Sequence, residues 1–339
     1  VPSPLLAGVF GASGYAGAEL LRLAAGHPDL RVVLASAGSQ AGTRAADLYP
    51  SLAAAYGDLV FADTDPALAD GLDVVFLALP HGASQHLLPD LAKRVGLIVD
   101  LAADFRLKDP GLYPDWYGEE HHQPELLAQA AFGIPELFRD RITTASLVAA
   151  AGCHVTAAAL ALAPLVRAGI IQPTGVVVDT ITGVSGAGRA LKANTQFCAV
   201  DEDVTAYGLL RHRHTPEIEQ ATGAQVIFTP HLAPLNRGIL ATCYARPTPK
   251  QPDPLGALKE AYAGEPFIVV DERSPSTKAT LGANTAHLSA RFDERTGWVI
   301  ALCALDNLVK GAAGQAIQCA NLALGLPETA GLPIVGVYP

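Results

Sequence analysis

Methionine is absent from all 339 residues, charged side chains make up only 17% of them, and aromatics 6%. The missing methionine extends to position 1, which reads as numbering that begins after an initiator and carries no functional weight. No apolar run approaches the roughly 20 residues that a membrane-spanning helix needs. Leu5 to Phe10 is too short for a signal peptide and has no basic residues before it, so a cytoplasmic protein with no membrane role is expected. There is no CxxC spacing, and five scattered cysteines argue against both a disulfide framework and structural zinc. Lys and Arg are dispersed against a net charge of -10, leaving no basic patch for nucleic acid.

Half of the residues are hydrophobic, enough to bury a sizeable core over two domains. Leu5 to Phe10 reads as a short apolar strand, and Tyr15 to Ala25 repeats leucine and alanine at helical spacing until Gly26 and Pro28. Leu30 to Ala35 is strand-like again, completing a βαβ unit. Asp73 to Leu79 and Gly96 to Leu101 read as buried strands around a helix from Ala83 to Arg94. A Rossmann-type doubly wound α/β domain is therefore expected over 1–150. Beyond it, strand candidates at Gly175 to Thr182, Val226 to Phe228, Gly238 to Ala245, Phe267 to Asp271, His287 to Phe292 and Trp298 to Leu305 predict an α+β domain. That domain spans 151–306, has a mixed or antiparallel sheet, and carries Pro247 to Pro254 as a surface connection. A small-residue helix from Asn307 to Gly325 is expected to pack back on the first domain, completed by 307–339.

Gly152-Cys153 follows a small-residue strand and precedes an apolar helix that reads as beginning around Val155. A helix N-terminus turns unpaired N–H groups and the positive end of the dipole towards the sulfur, favouring thiolate over thiol. Cys153 is thus a candidate nucleophile, while Cys198, Cys243, Cys303 and Cys319 are read as buried structural thiols. The loop Gly11-Ala-Ser-Gly14-Tyr-Ala-Gly17 lies directly after a strand and opens a helix. Gly11, Ser13, Gly14, Tyr15, Ala16 and Gly17 are accordingly candidate pyrophosphate contacts. After the second strand, Ala35-Ser36-Ala37-Gly38-Ser39 has no Asp or Glu to grip a ribose 2′-OH. Ser36 and Ser39 can donate to a 2′-phosphate, so NADP(H) is favoured over NAD, with Arg44 either assisting or an ordinary surface residue. A thiolate and a nicotinamide together suit reduction of an acyl group through a thioester.

In His212-Arg-His-Thr-Pro-Glu217, Thr215 reads as an N-cap and Pro216 as the first helical residue, leaving His214 just outside a helix N-terminus. The dipole there disfavours imidazolium and leaves the neutral ring that a general base needs, with Glu217 able to turn back and orient it. His212 and His214 could instead be surface histidines at a turn or two ligands of a metal. No third ligand presents itself nearby, and no metal is expected. Arg106, just past the strand ending at Leu101, is placed to clamp a phosphate or to pair with Asp104 or Asp109. Ser185-Gly186-Ala-Gly188 is a second glycine loop that lines the cofactor or forms a plain turn.

The pieces GASGYAGAELLRL, FLALPHG, ADFRL, GVSGAGR, HRHTPEIEQ, FTPHLAPLNRGIL and DNLVKGAAGQA occur in that order across nearly the whole chain. In this the chain resembles the N-acetyl-γ-glutamyl-phosphate reductases of arginine biosynthesis, relatives of the aspartate-semialdehyde dehydrogenases. The resemblance implies a homotetramer, NADPH as reductant and an acyl phosphate as substrate. It also implies a nucleotide domain completed by a C-terminal helix, and a second domain for substrate and dimerisation. By position it makes Cys153 the nucleophile, His214 the base, Glu217 its partner and Arg106 a substrate-phosphate ligand; His212 and Arg189 are further candidate substrate ligands. Pro80, Ser185, Gly186, Gly188 and Asn307 fall in cofactor surroundings. The family usually has Pro-Gly-Cys-Tyr-Pro-Thr, or Phe for Tyr, where this chain has Ala151-Gly-Cys-His154-Val155-Thr156. Turns without those prolines resemble lysine-pathway reductases acting on a carrier-linked aminoadipyl phosphate. A catalytically silent scaffold or redox sensor with this fold would be expected to lose some of Cys153, His214, Glu217 and Arg106, and all four remain. The expected substrate is free N-acetyl-γ-glutamyl phosphate, with His154-Val155 a tolerated repacking of the turn.

Overall fold

Short apolar runs punctuated by glycine build β1 (Leu5–Phe10), α1 (Tyr15–Ala24) and β2 (Leu30–Ser36), close to the boundaries that the pattern predicts. The computed structural model describes residues 3–339, which divide into two units: 3–151 with Ala312–Leu332, and Gly152–Gly311 with Pro333–Pro339. In the first unit β3 (Val74–Leu77), α2 (Ser84–Leu91), β4 (Leu97–Asp100), β5 (Ala131–Gly133), α3 (Pro135–Thr143) and β6 (Leu147–Ala150) follow. All six strands are parallel, in the order β2-β1-β3-β4-β6-β5. Strands β3, β4 and β6 are buried at every residue, as a sheet covered on both faces requires. Phe10, Leu77, Leu88, Ile98, Phe105 and Tyr113 form much of the core. Strand order reverses between β1 and β3, the position at which ligands gather in such sheets.

Asp104 fastens the start of α2. Its carboxylate accepts the N–H groups of Gly82 (2.8 Å), Ser84 (3.0 Å) and Gln85 (3.2 Å) and the Ser84 hydroxyl (2.7 Å), while His81 Nδ1 lies 2.6 Å away. Burial alone would push this carboxyl up; the His81 contact and the Gly82 and Ser84 donors outweigh it and hold it at about 2. Because the folded value lies below the ordinary carboxylate value of about 3.9, the stabilisation is present above pH ~4 and is lost as pH falls towards 2. Asp104→Asn is expected to lower unfolding stability by about 2 kcal/mol at pH 7, read from urea denaturation. An unchanged midpoint would show that the cap contributes nothing.

The segment 307–339, expected to complete the first domain, divides instead. Helix Gly314–Ala323 packs on β4, β6 and α3 in the first unit, after a π turn at Val309–Ala313 that replaces the start of the predicted helix. The tail joins the second unit because Asn284 N–H donates to the Pro333 carbonyl and Val337 N–H to that of Leu281, each at 2.7 Å.

The second unit opens with α4 (Cys153–Arg167), in which every residue from His154 to Leu165 is buried. A helix apolar all round is a core helix, and its alanines let it approach β10 and β13 closely. Its sheet comprises β7 (Val176–Gly183), β8 (Thr205–Ala206), β9 (Val226–Ala233), β10 (Ile239–Ala245), β11 (Ile268–Val270), β12 (Ala286–Asp293) and β13 (Trp298–Leu305). The order is β11-β12-β13-β10-β7-β9-β8, with parallel pairs at β11/β12 and β7/β9 and antiparallel pairs elsewhere, so the sheet is mixed. Strand β9 runs five residues past the predicted Phe228, because Pro230 interrupts the sequence signal but not the ladder. Along β10, Ile239, Ala241, Cys243 and Ala245 face the core in strict alternation. Among the described residues no helix is long and apolar enough to cross a membrane.

Candidate active site

In the first unit, Gly11 ends β1 with φ +84°, and a Cβ there would lie 2.3 Å from the Ala78 carbonyl oxygen past β3. A Cβ on Gly17 would lie 2.4 Å from the Gly11 carbonyl oxygen, so both glycines are dictated by close backbone approach. Gly14 is the extended N-cap of α1, whose first turn, with Tyr15 and Ala16, contains no acidic residue. The half-buried Ser13 precedes it, and the exposed Pro80 stands on the neighbouring loop after β3. This turn suits an anion on the N-terminal N–H groups of α1.

Ser36 departs from its expected role. It is fully buried, its Oγ lies 3.5 Å from Thr64 Oγ1, and its carbonyl accepts the Gly11 and Ala12 N–H groups at 3.0 and 2.9 Å. It shapes the turn, and its hydroxyl is not offered to solvent. Ser39 is exposed in the turn Gly38–Gln40, while the exposed Arg44 pairs with Asp47 at 2.7 Å. Arg106 is buried, with Nε donating to the Ala150 carbonyl (2.8 Å) and Nη2 to that of Leu101 (2.7 Å). It ties the carboxyl ends of β4 and β6 together.

In the second unit the predicted catalytic residues converge. Helix α4 starts at Cys153 itself, two residues earlier than expected, because Gly152 is an extended N-cap whose carbonyl already accepts the Thr156 N–H at 2.9 Å. The half-buried thiol therefore occupies the first helical position, where the dipole acts most strongly on it. Helix α5 (His214–Thr222) likewise starts early. Its N-cap is Arg213 rather than Thr215, whose N–H bonds to the His212 carbonyl at 2.9 Å. His214 thus lies inside the first turn and not before it, and Pro216 still falls where a missing N–H costs nothing. The fully buried Glu217 accepts the Gly152 N–H at 3.2 Å, pinning the turn that carries the thiol. His214 packs on the same turn, for a Cβ on Gly152 would lie 2.3 Å from His214 Nε2.

Around His214 stands an aromatic cluster that sequence pattern does not reveal. His154 lies 5.5 Å from His214 and 5.6 Å from His212 between ring centroids, and His212 lies 4.7 Å from His214. His154 Nδ1 is 2.9 Å from Thr180 Oγ1 and Nε2 is 3.0 Å from the Tyr207 hydroxyl. Burial, then the neighbouring His212, lowers His154 to about 3; burial, then Arg213, lowers His212 to about 4. Both rings are neutral at physiological pH. Burial and then the charge of Cys153 push the Tyr207 phenol up. Gly311, in the π turn before Gly314, is not singled out by the sequence reading; a Cβ there would lie 2.8 Å from Cys153 Cβ.

Asn307 gathers the second glycine loop. Its Nδ2 donates to Ser185 Oγ at 2.9 Å and its Oδ1 accepts the Gly238 N–H at 2.7 Å, with Ser185 and Gly186 in the turn Val184–Ala187 and Gly188 at φ +81°. Arg189 follows, half-buried, with no ion pair to a described residue. Of the four remaining cysteines, Cys243, Cys303 and Cys319 are buried; Cys198 is exposed, contrary to expectation, because it lies in the short surface helix Phe197–Val200.

A parallel nucleotide-type sheet, joined to a mixed-sheet domain with a cysteine at the head of a buried helix, defines the semialdehyde dehydrogenase class. Residues 7–145 match the semialdehyde dehydrogenase NAD binding domain, and residues 153–307 the semialdehyde dehydrogenase dimerisation domain. N-acetyl-gamma-glutamyl-phosphate reductase of Salinispora arenicola is 50% identical over 98% of each chain. The enzyme of the same name from Symbiobacterium thermophilum is 46% identical over 98% of this chain and 99% of its own. The chain belongs to the N-acetyl-γ-glutamyl-phosphate reductase family. In fold it is similar to aspartate semialdehyde dehydrogenase II of Vibrio cholerae, complexed with ASA (TM-score 0.71, 16% identity, 96% of this chain and 99% of that one). The aspartate semialdehyde dehydrogenase of Candida albicans with NADP gives a TM-score of 0.66 at 15% identity, covering 94% and 98%.

Proposed function

We propose that this chain reduces N-acetyl-γ-glutamyl phosphate to N-acetylglutamate semialdehyde and phosphate with NADPH, in arginine biosynthesis, through a thioester on Cys153. The observation that carries the reading is the thiol at the first position of α4, on a turn held by Glu217 and packed on by His214. Cys153 thiolate attacks the acyl carbon and the C–O bond to phosphate breaks, leaving the thioester. The Gly11–Gly17 turn would hold NADPH, whose nicotinamide would supply the hydride. Collapse of the resulting thiohemiacetal returns the thiolate and releases the aldehyde, with His214 carrying the proton. Arg106, His212 and Arg189 are the proposed substrate ligands, and Ser185, Gly186, Gly188 and Asn307 the proposed cofactor surroundings. The apolar Ile181 and Ile227, exposed on β7 and β9, support assembly into a homo-oligomer, proposed as a tetramer in the cytoplasm.

The names of the relatives favour the free acetylated substrate, and so does charge. An acidic carrier would need a basic surface, whereas the chain carries -10 and offers only Arg189, Lys192, Arg211 and Arg213 near these loops in sequence. The test is phosphate-dependent NADP reduction with N-acetylglutamate semialdehyde, run beside a carrier-linked substrate. A large preference for the carrier-linked form overturns the substrate, and no activity in an intact, NADPH-binding protein favours a silent scaffold.

Cofactor choice is tested at Ser39, since a carboxylate at the buried Ser36 would perturb the fold. Ser39→Asp is expected to reduce the NADPH over NADH preference in kcat/KM by at least roughly tenfold through repulsion of the 2′-phosphate. An unchanged ratio would remove Ser39 from the site.

A further inference from the structure

His212 and His214 have the third imidazole that the sequence does not disclose. The first turn of α4 brings His154 beside them, and one ring nitrogen from each of the three lies within 4.8 Å of the others. A core histidine satisfied by Thr180 and Tyr207 accounts for His154 alone. It does not account for two further imidazoles against it, with Phe228 closing one side at 5.6 Å from His154 and 5.2 Å from His212. We propose that His154, His212 and His214 bind a single divalent cation of the zinc type.

Three imidazoles without a carboxylate select Zn²⁺, Co²⁺, Ni²⁺ or Cu²⁺ and reject Mg²⁺ and Ca²⁺, which want oxygen. A tetrahedral Zn–N₃ arrangement has its nitrogens about 3.3 Å apart, so the rings must turn inward by roughly an ångström. His154 Nε2 lies 3.0 Å from the Tyr207 hydroxyl and His212 Nδ1 accepts the His214 backbone N–H at 3.1 Å, so a cation that takes either nitrogen displaces that contact. Thr180 Oγ1 stays on His154 Nδ1 and fixes that ring, as partners of metal-bound histidines do. Binding itself is independent of the reaction proposed above; only its consequence, loss of His214 as base and hence inhibition, rests on that reading.

The test is Zn²⁺ binding to the metal-free full chain by competition with a chromophoric chelator, with Co²⁺ as the spectroscopic probe. Stoichiometric binding is expected, weakened at least about tenfold by His154→Phe and by His212→Asn, and unchanged in Cys153→Ser and in excess Mg²⁺. The Co²⁺ spectrum should be tetrahedral without thiolate charge transfer. Binding that survives both histidine variants, or that is lost in Cys153→Ser, overturns the site; the second result puts the metal on the thiol. Should His154→Phe not fold, His212→Asn on the half-buried ring decides alone. If the site binds zinc and turnover is unaffected, the site stands and the role of His214 as base fails.

Discussion

Cys153→Ser is expected to lose turnover by on the order of 10⁴-fold or more while NADPH binding persists. A serine hydroxyl at the head of α4 meets the same dipole and the same N–H groups, but it remains un-ionised near neutral pH and attacks poorly. The glycine turn at Gly11–Gly17 is untouched by the change, so fluorescence titration with NADPH should match that of the unmodified chain. The other thiols serve as internal controls. Cys243 is buried and pushed far up by burial and then Asp179, so iodoacetamide should modify Cys153 well before it. Turnover within tenfold of normal in the serine variant would end the nucleophile assignment.

Gly152→Ala should be nearly as damaging, though it alters no reacting group. The backbone at Gly152 (φ -63°, ψ 148°) is open to any residue, so conformational strain is not the reason. The reason is the His214 ring, whose Nε2, Cε1 and Cδ2 would lie 2.3, 2.7 and 2.8 Å from the new methyl carbon. The ring is buried and has little room to yield, so either it or the thiol-bearing turn must shift by about an ångström. A misplacement of that size costs roughly 10²-fold in turnover, and the overpacking about 1–3 kcal/mol in stability. Pairing Gly152→Ala with His214→Ala separates the two effects, because removing the ring should restore stability without restoring activity. If Gly152→Ala behaves like the parent in both respects, His214 is not packed on the nucleophile's turn.

What was legible in the sequence is what local pattern encodes. The strand, glycine turn and helix from Leu5 to Ala24 show themselves because the apolar run, the glycines and the helical spacing lie inside one short unit, with Gly17 required by backbone contact to Gly11; the contact of Gly11 with Ala78 is tertiary. Cys153, His214 and Glu217 are visible through their helix starts, although both starts lie earlier than pattern suggests. The capping signal that misplaced them is real but weak: Thr215 looks like a cap, yet the turn before it is already right-handed. Tertiary placement is what escapes. Ser36 reads as a phosphate donor until β2 is seen to bury it. His154 reads as a tolerated change until Thr180, Tyr207, His212 and Phe228 are assembled around it from three distant segments. Gly311 could have been suspected, since DNLVKGAAGQA is part of the resemblance, but only the π turn at Val309–Ala313 explains why a side chain there would meet Cys153.

The most direct measurement is to mix the purified chain with N-acetyl-γ-glutamyl phosphate in the absence of NADPH, quench, and locate the bound acyl group by peptide mass mapping. The account predicts a hydroxylamine-labile adduct on the peptide containing Cys153, discharged as aldehyde when NADPH is added before the quench. Turnover without an adduct at Cys153, or with the acyl group on another residue, would contradict it.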